Sequence, residues 1–214
     1  MISNIFVNIG YVLLGINCVL LIKGFSKNEK PFKIFAIYCW SMFAVQLASL
    51  LVVKIYHSNL FISHFYFGLQ FIILSFFFYS LMKERIQKRI ISGLLAFCIL
   101  VLGIQYTINP DLFCMFNLFE IFITSLPLII YATFHLYNIL NEKKQFYYIT
   151  IGLLIYLFGS TVVFLTTNLL LSLKTYDSFE FVYSLNVYLY AIYQLFILFD
   201  LKHLYLLKKK NLYE

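Results

Sequence analysis

Apolar residues run along this chain in long blocks, at about 4–22, 34–53, 63–82, 90–106, 115–137, 147–172 and 181–201, each closed by a polar stretch. A helix that crosses a bilayer takes about 20 mostly apolar residues, so the pattern predicts seven spanning helices joined by short segments. Inside the blocks the polar residues are periodic. Asn117, Glu120, Thr124, Pro127, Tyr131 and His135 recur at steps of three and four. That spacing places them on one face of helix five. Cys39, Met42, Gln46 and Ser49 do the same in helix two, and Tyr183, Asn186, Tyr190 and Gln194 in helix seven. Polar stripes of this kind are expected to face a bundle interior, where amides, imidazole and carboxylate satisfy one another. Pro127 is expected to free the carbonyl of Ile123, four residues back, and to bend that wall.

The connecting segments orient the helices. Lys23, Lys27, Lys30 and Lys33, then Lys83, Arg85, Lys88 and Arg89, then Lys143 and Lys144, then Lys202, Lys208, Lys209 and Lys210 all fall on one side, leaving only Lys54 and Lys174 on the other. Basic residues in short loops concentrate on the cytoplasmic face. The expectation is an all-α, seven-helix transmembrane bundle over 1–201, amino terminus outside, followed by a basic cytoplasmic tail at 202–214. Trp40, Tyr106, Tyr147 and Tyr148 fall near span ends and read as interfacial belts.

Composition agrees with this class. Of 214 residues, 63% are hydrophobic and 12% charged, against about 45–50% apolar and about 25% charged in soluble domains. No room is left for a soluble domain. The start "MISN", with no basic residue before Lys23, argues against a cleaved signal. Abundant Phe, Tyr, Ile, Lys and Asn suggest an AT-rich bacterial gene and hence a bacterial inner membrane. The net charge of +7 is an orientation signal with attraction to anionic lipid at the inner face, not a nucleic-acid footprint. Cys18, Cys39, Cys98 and Cys114 form no C-x-x-C pair and read as apolar filler.

With direction assigned, the outer half collects Asn4, Asn8, Gln46, Ser49, His64, Gln70, Gln105, Asn117, Glu120, Thr166, Thr167, Asn168 and Asn186. Glu120 is the costly member, since a buried charge at a bilayer centre costs about 2.5–3.5 kcal/mol on insertion scales. His64 is its expected partner, and such a pair titrates as a unit. The candidate ligand-binding set is therefore Glu120, His64, Gln46, Gln70, Asn117, Asn168 and Asn186. The competing reading is packing glue, because interhelical polar contacts of about 0.6 kcal/mol each hold many bundles together. Gly152, Tyr156 and Gly159 share a face of helix six and read as a close helix approach.

Enzyme chemistry finds little support. Four scattered histidines make no H-E-x-x-H, no G-x-S-x-G elbow supplies a nucleophile, and helix seven carries no lysine in its body for a Schiff base. No metal or cofactor is expected. Asp200, beside Lys202 and His203, reads as a solvated or salt-bridged helix end. "KIYHSNLF" at 54–61 and "KTYDSFEF" at 174–181 share Lys, Tyr, Ser and Phe without a gap. This raises a second reading, in which helices two and three repeat six and seven as in small transporters.

"HFY" at 64–66, opening helix three, and "GLLIYLFG" at 152–159, in helix six, resemble small seven-helix membrane proteins of bacterial genomes. The resemblance implies a receptor-like helical topology and no particular substrate. Members of that group often carry an acid where this chain has Gln70, so no carboxylate role transfers to helix three. Two expectations remain: a binding or sensing module working through a separate cytoplasmic protein, and a small-solute transporter or a homo-oligomeric pore.

Overall fold

A computed structural model describes residues 2–26, 28–56, 59–141, 145–172 and 179–210. Lys27, His57, Lys143, Lys144 and Lys174 lie outside the described residues, as do most of "KTYDSFEF" and the side chain of Tyr183. The described chain is helical: α1 (Ile2–Gly24), α2 (Lys30–Tyr56), α3 (Leu60–Leu81), α4 (Arg85–Ile108), α5 (Leu118–Asn138), α6 (Tyr147–Ser172) and α7 (Phe179–Lys210). A 3-10 turn at Pro110–Cys114 precedes α5 and another at Ile139–Asn141 follows it. Among the described residues seven helices are long and apolar enough to cross a bilayer. The chain is a multi-pass membrane protein.

The exposed surface supports that conclusion. Along α1, Ile5, Ile9, Val12, Ile16 and Val19 are exposed, whereas Gly10, Leu14, Asn17 and Leu21 are buried. An apolar face turned outward and an amide turned inward is the reverse of a water-soluble helix. α4 likewise exposes Ile86, Phe97, Leu100, Ile104 and Ile108.

Two compact units divide the chain. One runs from Lys27 to Phe134, and the other joins the first 26 residues to those from His135 onward. In the Lys27–Phe134 unit, α2 packs on α3 and α3 on α4. Its core is aromatic: Phe35 and Phe77 lie 5.3 Å apart, and Phe78 reaches Tyr131 of α5 at 6.3 Å. Tyr131 donates its hydroxyl to the Ile91 carbonyl of α4 at 3.3 Å. The expected stripe on α5 is buried throughout, at Asn117, Glu120, Thr124, Pro127, Tyr131 and His135. The carbonyl of Ile123, which Pro127 cannot reach, accepts the Cys98 thiol at 3.4 Å. Cys98 is thus more than filler.

In the other unit, α7 packs against both α1 and α6. Gly152 and Gly159 bring α6 close to α7. A Cβ at Gly152 would stand 2.5 Å from Phe196 Cβ, and one at Gly159 would stand 2.7 Å from Leu189 Cδ1. Asn17 of α1 is fully buried and donates its Nδ2 to the Gln194 carbonyl at 3.0 Å and to Gln194 Oε1 at 3.1 Å. Asp200 departs from the solvated end read from sequence. It is buried, and Oδ2 accepts the Ile149 amide at 2.9 Å in the first turn of α6. α7 continues through Lys210, so the described part of the basic tail extends the last helix.

Candidate functional site

Glu120 lies in the first turn of α5, where the exposed amides of a helix start favour negative charge. The apolar run predicts a helix beginning near 115. The helix begins instead at Leu118, because Asn117 Oδ1 accepts the Glu120 amide at 3.3 Å and caps it. The stretch "NLFE" carries this stop in plain view, as Asn followed three residues later by Glu is the spacing of a helix amino-terminal capping pattern. In a capping box the acid turns back to its own helix start. Here the Glu120 side chain points to two other helices instead.

His64, one turn into α3, bonds through Nδ1 to Glu120 Oε2. Tyr106, at the end of α4, donates its hydroxyl to the same oxygen at 2.8 Å and lies 2.9 Å from His64 Nδ1. Asn117 Nδ2 then donates to the Tyr106 hydroxyl at 3.1 Å and to Gln105 Oε1 at 3.2 Å. Tyr106 stands at a span end, as expected of an interfacial belt residue, but its ring borders the cluster and its hydroxyl completes it. Phe113, in the turn before α5, packs against the Tyr106 ring at 4.3 Å and the His64 ring at 5.6 Å. Both His64 and Glu120 are buried, and His64 Nε2 has no hydrogen-bond partner among the described residues.

The cluster occupies one end of its unit. His64 stands 17 positions before Leu81, which precedes the Met82–Glu84 link, and that is roughly 25 Å of helix at the usual rise. Of the other expected site residues, Gln46 and Gln70 lie in the same unit. Gln70 is buried in the same unit and faces the Tyr38 hydroxyl at 3.4 Å rather than Glu120. Gln46 is half-buried on α2. Asn168 and Asn186 belong to the other unit, where Asn168 is exposed and the Oδ1 of half-buried Asn186 has no partner among the described residues. Thus His64, Glu120 and Asn117 come together, with Tyr106 and Gln105 added.

Chemically the arrangement is an oriented imidazole. A carboxylate and a phenol hold Nδ1, which fixes the ring and leaves Nε2 as the free atom, the usual way a second shell aims a histidine. Among the described residues no group of three or more His, Cys, Asp or Glu is placed to hold a metal ion. Comparison with protein-family models, curated proteins and solved structures finds no match.

Proposed function

We propose that the protein is a non-enzymatic sensing or binding module of a bacterial inner membrane, with its amino terminus outside and its carboxyl terminus in the cytoplasm. On this reading it joins the small seven-helix proteins that its "HFY" and "GLLIYLFG" segments resemble. The observation that carries the proposal is the buried His64–Glu120–Tyr106 cluster. Packing alone rarely calls for a carboxylate and an imidazole within a span, because their burial is costly. A ligand reaching His64 from the outer side biases the helices that share the cluster, α3, α4 and α5, and the basic inner segments pass the change to a separate cytoplasmic protein. Anionic lipid holds those segments at the inner face.

Two experiments test it. Reporter fusions after Lys33 read as cytoplasmic and those near Asp111 as external; the reverse pattern sinks the orientation. Thermal melts against pH, run on the solubilised wild type, Glu120→Gln and His64→Ala, give different profiles when the pair titrates as one site. Identical profiles for all three return the cluster to packing glue.

The buried Asn17–Gln194 amide pair supports a second reading, transport of a small solute, alone or as a homo-oligomeric pore. Its test is flux in liposomes containing only the purified protein. Vesicles that stay tight under every gradient count against it.

A further inference from the structure

The orphan Nε2 of His64 says what kind of atom the site accepts, once the protons of the cluster are counted. Three polar atoms, His64 Nδ1, Tyr106 Oη and Glu120 Oε2, lie within mutual hydrogen-bonding distance. Asn117 adds a donor to the Tyr106 oxygen. The amides at the start of α5 favour a negative charge by about 0.3–1 kcal/mol, less than an uncompensated charge costs when buried, so the relevant states of this buried cluster carry none. One is carboxylate with imidazolium, and the other is carboxylic acid with neutral imidazole. In the first, both ring nitrogens carry hydrogen. In the second, Tyr106 already donates to Oε2, so an acid proton on Oε2 has Nδ1 as its acceptor and the ring hydrogen is on Nε2. The one neutral state with a bare Nε2 puts the acid proton on Oε1, and the described hydrogen bonds of the carboxylate all fall on Oε2. That proton would have no acceptor. Nε2 is therefore an N–H donor, buried and without a partner among the described residues.

We infer that this N–H receives a carbonyl oxygen carried on an apolar, membrane-dissolved body. The inference rests on the binding role proposed above and names its ligand class. An unsatisfied buried donor calls for an acceptor. The acceptor is better neutral than anionic, because no Lys or Arg lies between Arg89 and Lys143 and so the α4–α5 segment supplies no countercharge. The surroundings select an apolar carrier. Tyr106 and Phe113 stand edge-on to the His64 ring at 5.5 and 5.6 Å, and Phe113 is 41% exposed, so an aromatic residue connects the imidazole to the apolar surface. Phe61 and Phe65 flank His64 on α3 and are exposed too. Two membrane-dissolved sources of such a carbonyl are the acyl ester of a lipid and the ring carbonyl of a quinone.

The test is nitrogen-15 NMR of histidine-labelled wild-type protein in nanodiscs of diester lipid, of diether lipid, and of diether lipid with added menadione. The His64 signal is assigned by its loss in His64→Gln. The expected result is a protonated Nε2 whose proton shifts downfield, relative to diether lipid alone, in diester lipid if the source is a lipid ester or on adding menadione if it is a quinone. A bare Nε2 in diether lipid overturns the proton count. A protonated Nε2 that is unchanged across all three preparations means water fills the site and overturns the ligand class. A carbonyl-dependent shift in a protein whose Glu120→Gln variant still signals normally in cells would sink the sensing role and leave this inference standing.

Discussion

Asp200 of α7 accepts the Ile149 amide of α6 at 2.9 Å, so the start of one helix is capped by a buried carboxylate from another. The first-turn amides of a helix have no partner within it, and a buried one left open costs about 1–3 kcal/mol. Asp200→Ala is expected to destabilise the protein by about that amount, and Asp200→Asn by less, since the amide oxygen still accepts. Thermal melts in detergent measure both. An Ala variant as stable as wild type would show that Ile149 finds another acceptor.

The two glycines of α6 make opposite predictions about rescue. Gly159→Ala meets the end of the Leu189 side chain, and Gly152→Ala meets the Cβ of Phe196. Overpacking of this kind costs about 1–3 kcal/mol. Leu189→Ala removes the first clash and restores stability. Phe196→Ala keeps its Cβ and restores little. A double-mutant cycle that rescues both pairs equally would contradict the close approach at Gly152.

Cys98 and Pro127 are expected to be coupled through the Ile123 carbonyl. Cys98→Ala costs about 1 kcal/mol in the wild type, including the lost thiol bond. In a Pro127→Ala background the residue-127 amide reaches the same carbonyl, and the cost of losing the thiol falls. Additive effects in the two backgrounds would mean the carbonyl does not link them.

Asn117 has two jobs that substitution separates. Asn117→Asp keeps the cap but loses the amide donor to Tyr106 and Gln105; Asn117→Ala loses both. The cap alone is worth about 0.5–2 kcal/mol. Equal melting temperatures for the two variants would deny the cap its part in holding Glu120.

How far the sequence carries depends on which physics sets each feature. The seven spans are legible because length and apolarity alone decide them, and the buried stripe on α5 because its period is that of the helix. The meeting of His64 with Glu120 follows from few titratable groups sharing one depth. Tyr106 was hidden among 18 tyrosines, since an aromatic at a span end looks the same whether its hydroxyl meets headgroups or a carboxylate. The exposure of Asn168 is hidden for a related reason. Depth says nothing about azimuth, and without a stripe of its own its exposure on α6 could not be read. The trans cap by Asp200 joins residues 51 apart, a contact no local pattern encodes.

The notch that Gly152 and Gly159 cut into α6 carries a thermal consequence. Helices that meet inside lipid gain almost nothing from expelling water, so what holds α6 to α7 is contact between fitted surfaces. Water release is the source of the large heat-capacity change that weakens ordinary protein cores on cooling. A seam formed without it should hold in the cold, leaving the α6–α7 pair as firmly joined near freezing as at growth temperature.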